Sequence, residues 1–435
     1  TDSVAYERFP KDADSLLKQT LPDAVIHKGD AFDVTTLDAE RTRVSSLFRN
    51  NGYYYYQPSY ASYLADTLTV PGKVLMKFQL ADQIPDKANR KWFIGKVDLQ
   101  LRKQIMEQLN DSLKHRNFTV HFTGRHSPIR PRVIMRDLKL RPGNLYSYDN
   151  YLESSNRISG NGLFSIVDFQ FTPRDTSATC DTLDLALNCV FDKPYDFYVE
   201  TNYTGRTSGR MGPGMVVGFT KRNAFRGGEK FNMNIKGSYE WQSGHTASGN
   251  SDRINSYEYG GDASLEFPRL IMPFMQRRRF FTTPSTVLKA STDIINRAGY
   301  FKRHIASGEL TYTFQTSKNS MHQFSPIILE YEYMSSHTAK FDSVMKTSPY
   351  LQISMKNQFI PKMRYSYIYT SDKAYRSPIW WQTTISEAAN ILSLGYTIAG
   401  KSWSEKDKKM FKNPYAQYVK IETEFRKTWR LAEHS

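Results

Sequence analysis

The sequence predicts a mixed fold, with α+β modules over the first 192 residues and an antiparallel transmembrane β-barrel after them. Three observations predict it. From about residue 194 the chain alternates apolar and polar residues with period two. Before that, a helical stretch ending at glycine and followed by an aromatic strand occurs twice. No stretch approaches the ~18–20 consecutive apolar residues a spanning helix needs.

The alternation is plainest in three stretches. Phe231, Met233, Ile235, Gly237, Tyr239 and Trp241 oppose Asn232, Asn234, Lys236, Ser238 and Glu240. Tyr257, Tyr259, Gly261, Ala263, Leu265 and Phe267 oppose Glu258, Gly260, Asp262, Ser264 and Glu266. Tyr415, Val419, Ile421, Phe425, Trp429 and Leu431 oppose Lys420, Glu422, Glu424, Arg426 and Arg430. Successive strand side chains point to opposite faces, so each stretch has one apolar and one charged face. Strands of ~10 residues with aromatic ends, many times repeated, are the signature of a barrel in a membrane.

Residues 1–82 form the first α+β module. Asp12 to Leu21 reads as a short helix stopped by Pro22. Leu37 to Asn50 spaces Leu37, Val44, Leu47 and Phe48 helically, with Thr35 or Thr36 as cap. Asn50-Asn51-Gly52 ends that helix, because glycine accepts a left-handed cap. Tyr53 to Tyr60 and Lys73 to Leu80 follow as strands around Val70-Pro71-Gly72. Residues 91–192 repeat the plan with an insertion around 102–132, irregular and partly helical. Trp92–Leu101 and Val133–Leu140 read as strands, and Tyr148–Ser159 as a helix ended at Gly160-Asn161-Gly162. Phe164–Phe171 and Leu183–Phe191 make a strand pair. Residues 194–435 supply about twelve strands: 194–204, 214–222, 229–242, 255–267, 285–296, 303–316, 323–336, 349–360, 362–370, 378–387, 389–399 and 414–431.

Composition agrees with a barrel without requiring one. Hydrophobic residues make up 39% and mean hydropathy is −0.58, as expected where half of each strand faces a polar lumen. Aromatics reach 14%, suited to interfacial girdles. The net charge is +16, but no basic stripe has recognition-helix geometry, which argues against nucleic acid. Arg277-Arg278-Arg279 reads as a solvated basic loop that would reach phosphate-bearing lipid headgroups. Cys180 and Cys189 bracket a strand-like run spanning ~30 Å when extended, against the ~7 Å of a disulfide, so a bridge is not expected.

Catalytic constellations are missing: no nucleophile elbow, zinc-protease helix, phosphate loop or paired Cys-x-x-Cys is present. No enzyme activity and no cofactor or metal is expected. Gly212-Pro213-Gly214 reads as a turn, and His121 and His126 are spaced poorly for a metal. The lumen-parity charges Glu258, Asp262, Glu266, Glu330, Glu332, Glu422, Glu424, Arg426 and Arg430 read as a solvated wall with cross-strand ion pairs.

Particular residues resemble a known family. Lys28-Gly29-Asp30-Ala31-Phe32-Asp33, Leu37-Asp38-Ala39-Glu40-Arg41 and Leu47-Phe48-Arg49-Asn50-Asn51-Gly52-Tyr53-Tyr54 resemble a POTRA domain of the BamA/TamA family. Arg141-Pro142-Gly143-Asn144-Leu145-Tyr146-Ser147, a helix, and Gly162-Leu163-Phe164-Ser165-Ile166-Val167 resemble a second copy. Gly214-Met215-Val216-Val217-Gly218 and Asn223-Ala224-Phe225-Arg226-Gly227-Gly228-Glu229 are similar to the family's barrel entry. The long insertion is closest to that of TamA-like (TamL) lipoproteins. Family barrels have about sixteen strands, and a Val-Arg-Gly-Phe/Tyr signature that these residues lack; a chain cut at both ends predicts both departures.

The resemblance implies an outer-membrane barrel with periplasmic POTRA domains that assembles outer-membrane proteins, or, as the alternative, a two-partner-type pore secreting one polypeptide. It implies unfolded outer-membrane protein clients, outer-membrane lipids, and a TamB-like or BAM-type accessory partner. Client strands would add by β-augmentation to POTRA edges at Tyr53, Tyr54, Tyr55 and Tyr56, and at Phe164, Ile166, Val167 and Phe169. A lateral seam would be lined by the first barrel strand, with Tyr195, Phe197, Val199, Thr201 and Tyr203.

Overall fold

The computed structural model describes residues 3–177, 179–205, 207, 210–242, 255–272, 280–372, 377–400, 409–410, 413–415 and 417–429. Two compact units emerge, residues 1–192 and 193–435.

The first unit begins with β1 (Ser3–Glu7), α1 (Lys11–Gln19), α2 (Val34–Asn50), β2 (Ala61–Asp66) and β3 (Leu75–Leu80). Asp12 and Asp14 favour the start of α1, where acidic side chains meet the positive end of the helix dipole. Its buried Ala13 and Leu17 sit four residues apart, on one face. The cap of α2 is Asp33, which accepts from the Thr35 N–H at 3.2 Å, rather than Thr35 or Thr36 themselves. The sheet order is β1-β3-β2, with β1 parallel to β3. Leu17, Val44, Phe48 and Phe78 fill the core beneath it.

The second module holds β4 (Phe93–Arg102), β5 (Asp111–His115), β6 (Phe118–Phe122), α3 (Pro131–Asp137), α4 (Tyr148–Gly160), β7 (Phe164–Pro173) and β8 (Thr182–Phe191). Its sheet order is β5-β6-β4-β8-β7, with β4 parallel to β8. Without the β5–β6 hairpin this is the first module again: strand, two helices, two strands, the last strand between the others. The 102–132 insertion is therefore a hairpin added to the β4 edge, not a partly helical stretch. Val133–Leu140 is also not a strand. Pro131 sits at the first turn of α3, and Val133, Ile134 and Met135 are all buried, so the apolar run carries no period to separate helix from strand.

A charged cluster locks the first module. Glu40 is 0% exposed and accepts from Tyr6 Oη (2.8 Å), the Val25 N–H (2.8 Å), and Arg43 Nε (2.9 Å) and Nη2 (2.6 Å). Burial alone would raise its carboxyl, but these donors outweigh burial and hold it below the usual range. The Tyr6 phenol is pushed up, by burial first and by Glu40 second.

The second unit is an antiparallel meander: β9 (Tyr195–Gly205), β10 (Arg210–Lys221), β11 (Lys230–Gln242), β12 (Asn255–Phe267), β13 (Ser285–Arg297), β14 (Phe301–Ser317) and β15 (Ser320–His337). Two helices, α5 (Ala339–Thr347) and α6 (Pro349–Ser354), precede β16 (Gln358–Thr370). Then come β17 (Ile379–Ala388), α7 (Asn390–Ile398), the short β18 (Lys409–Met410) and β19 (Asn413–Pro414), and β20 (Tyr418–Lys427). Ten strands form one sheet running from β9 to β20.

Four expectations are corrected here. The expected strands 349–360 and 362–370 are one strand, β16, preceded by α6, because Pro349 starts a helix. The expected strand 389–399 is α7, where Asn390 to Ile398 lacks alternation. The strand expected at 414–431 is shorter, β20, and Arg430 and Leu431 lie outside the described residues. Gly212-Pro213-Gly214 is inside β10 rather than a turn: Pro213 pairs with Tyr203, and a Cβ at Gly212 would lie 1.8 Å from the Tyr239 carbonyl oxygen. The glycine is there for close strand approach.

Glu40→Gln should destabilise the first module by about 3 kcal/mol, since it leaves Arg43 partly buried and unpaired. The native carboxyl lies below its ordinary value of 4.5, so its contribution is complete above that pH and fades as pH falls through the folded value. Hydrogen exchange of α2 amides, normalised to their intrinsic rates, from pH 7 down to about pH 2 checks this. The acid-side loss of protection should be smaller in the variant.

Candidate functional site

Among the described residues no group of three His, Cys, Asp or Glu side chains could hold a metal. Both cysteines are free, and burial pushes the Cys189 thiol up to about 12, which leaves it inert. What the fold does present is strand edges, rows of N–H and C=O groups able to receive another strand.

β7 is one. It pairs with β8 and with no other strand. A register shift between Phe164 and Ile166 leaves Ser165 as an extra residue and sets the parity beyond it. Phe164 is buried, Val167 and Phe169 pack against the core, and Tyr151 of α4 meets Phe169 edge-on at 5.3 Å. Ile166 turns outward and is exposed. The four expected residues thus share one edge strand, with three anchoring it and one outside.

Tyr53 to Tyr56 are not on a strand, which corrects the edge expected there. Gly52 has φ +96° and the chain turns through the four tyrosines, with β2 starting at Ala61. Tyr53 and Tyr56 enter the core of the first module. Tyr54 packs on Tyr146 (4.9 Å) and Phe171 (5.3 Å) of the second, and Tyr55 packs on Trp92 at 5.2 Å. The Gly52 carbonyl accepts from the Trp92 N–H at 2.8 Å. Asn50 and Asp149 exchange two hydrogen bonds of 2.7 Å, and the Arg49 guanidinium lies 3.7 Å over the Tyr148 ring. The run is a clamp between modules. The actual edges of the first sheet are β1 and β2.

In the second unit the edges are β9 and β20, and each pairs on one side only. Tyr195, Phe197, Val199, Thr201 and Tyr203 all lie on one face of β9. Tyr198 lies on the other, and its hydroxyl donates to Asn234 Oδ1 at 2.9 Å across Gly218, where a Cβ would meet the ring at 2.0 Å. β20 is exposed along its whole length.

Register sorts the sheet into two faces. On one, Val199, Val217 and Ile235 run across β9 to β11, and Leu265, Leu288, Leu310 and Ile327 across β12 to β15. Aromatics close both ends of this face: Tyr203, Trp241, Tyr257 and Tyr333 at one, Phe197, Phe324, Tyr367 and Trp381 at the other. On the opposite face Lys236 pairs with Asp293 (2.7 Å), Lys362 with Glu330 (2.7 Å), Arg364 with Glu309 (3.0 Å) and Arg303 with Glu332. A cleft of about 640 Å³ lies there, floored by Glu309, Ser325, Arg364 and Thr384. The expected charged wall at Glu258, Glu330 and Glu332 is this face. Arg277 to Arg279 lie outside the described residues.

No protein-family model and no curated protein sequence matches the chain. Among solved structures it is similar to BamA from Haemophilus ducreyi lacking POTRA domains 1–3, at 10% identity and TM-score 0.42, over 88% of this chain and 69% of that one. It is similar to CdiB from Acinetobacter baumannii at 11% identity and TM-score 0.32, over 89% and 68%. POTRA domains 1–3 of Omp85 from Anabaena match at 14% identity and TM-score 0.21, over 44% and 65%.

Tyr54→Ala should cost about 2 kcal/mol, less than a fully buried aromatic, because the ring is only partly buried. Its ring packs on the second module while its neighbours Tyr53 and Tyr56 enter the first module's core, so amide exchange should rise in the last turn of α2 and in β7 together, while Tyr54→Phe leaves both protected. A rise confined to the second module would show that the ring does not couple them.

Proposed function

We propose that this protein is an outer-membrane assembly factor of the BamA/TamA type, which receives unfolded β-barrel clients on free strand edges and passes them into the bilayer. The observation that carries the reading is the first strand of the large sheet: β9 is long, unpaired on one side, and apolar on the face it shares with Val217 and Ile235. In hydrocarbon an unsatisfied backbone group costs several kcal/mol, so such an edge is stable only beside another strand. A client strand entering there satisfies both backbones and buries its own apolar face, which needs no nucleotide.

The two faces support a membrane location. An aliphatic band between aromatic ends suits hydrocarbon between two headgroup layers, and the ion-paired face suits a wet lumen. No helix of the described chain is long and apolar enough to cross a membrane. The α+β unit would then lie in the periplasm, where β7 offers a first docking edge with little sequence demand.

Photo-crosslinking during client insertion tests this. With the full-length protein in lipid vesicles, photoreactive residues at Val199, Ile421 and Ile166 should capture an unfolded barrel client, while one at Ala290, in mid-sheet, should not. Crosslinks from Glu309 on the polar face, with none from Val199 or Ile421, would sink the insertase reading and favour a secretion pore.

A further inference from the structure

Helix α7 is inside out. A helix on a watery surface turns its apolar stripe inward and its polar residues to solvent. Here the buried position is Ser393, at 0% exposure, while Ile391, Leu394 and Ile398 are 58%, 53% and 80% exposed. At about 100° per residue, Ile391, Leu394 and Ile398 fall within one narrow arc, while half-buried Leu392 and Tyr396 flank buried Ser393 on the side turned away from them. No residue of α7 is charged.

The Ser393 side is tied down. Ser393 Oγ donates to Gln417 Oε1 at 3.0 Å and lies 3.1 Å from Tyr415 Oη. Asn390 Nδ2 donates to the Tyr418 carbonyl at 2.8 Å, and Gln417 Nε2 donates to Asn390 Oδ1 at 3.1 Å. The turn into the helix is held by Ala389, at φ +54°, whose N–H donates to the Pro361 carbonyl at 2.9 Å. This orientation is specified, so the outward aliphatics are not a frayed end.

Position indicates what they meet. Glu387 shares the parity of Ile385 and is in register with Val419, which puts it on the apolar face of the sheet. Its Oε2 accepts from the Asn390 N–H at 2.9 Å, so α7 starts from that face. Ile385, Val419 and Ile421 beside it are exposed too. Aliphatic surface therefore continues from the strands onto the helix.

We propose that α7 is an interfacial helix whose Ile391, Leu394 and Ile398 insert among phospholipid acyl chains beside β17 and β20. An amphipathic helix at a bilayer surface buries its apolar side in the acyl boundary and keeps polar groups away from it. In α7 the protein takes the side of Leu392, Ser393 and Tyr396 and the lipid the other. The inference rests on the membrane reading of the sheet.

The test places a bimane label at Leu394→Cys, Ile398→Cys, Ile385→Cys or Lys289→Cys in the full-length protein. Cys180 and Cys189 are buried, so the added thiol is the one that labels. Each variant is reconstituted into phosphatidylcholine vesicles with brominated acyl chains, which quench within contact range. We expect quenching at Leu394 and Ile398 to match that at Ile385, with none at Lys289, which is exposed on the polar face. Quenching at Ile385 without quenching at either helix position would overturn the inference and leave the membrane reading intact, assigning the helix to a protein partner. No quenching at Ile385 would overturn both.

Discussion

Strand register in the ten-stranded sheet is the constraint on which the other properties depend. A slip of one residue would move every side chain to the opposite face. Val199, Val217 and Ile235 would exchange places with Glu200, Val216 and Lys236. The cross-strand ion pairs and the aliphatic band are thus two consequences of one alignment. Surface ion pairs contribute little stability singly, but on this face they make the wrong register costly. Glycines sharpen it further. Gly218 leaves space for the Tyr198 ring, and Gly214 for the Asn202 side chain, so each close approach fits one pairing only.

The same economy of edges governs the α+β unit. Both modules place the last strand between two others, and in the first this leaves β1 and β2 as edges. In the second module the β5–β6 hairpin covers the β4 side, so β7 is the edge beside the helices and β5 the edge contributed by the insertion. The tyrosine clamp joins the two sheets through shared aromatic cores rather than a continuous ladder. Modules joined in this way can present separate edges while holding their relative position.

Period-two alternation was legible without any structure, because the pleat itself imposes it. The strands from 195 to 337 follow it closely, and the two faces come with it. The helix ended by Gly52 and the helix before Gly162 were legible too, from caps and spacing. Tyr195, Phe197, Val199, Thr201 and Tyr203 fall on a strand with the shared parity that alternation predicts. Failures occurred where local pattern is silent. Val133–Leu140 is apolar on every side, and Tyr53–Tyr56 is as compatible with a strand as with a turn through two cores.

The sequence by itself determined which segments are amphipathic strands and where glycine or proline ends them. Tertiary structure alone decided which strand becomes an edge, since pairing is a relation between distant segments that hydropathy does not encode. It also decided that α7 faces its aliphatics outward. Nine residues without a charge read as core or strand, and only the partners of Ser393 and Asn390, supplied by residues 415–418, select the side of Ser393 as the buried one.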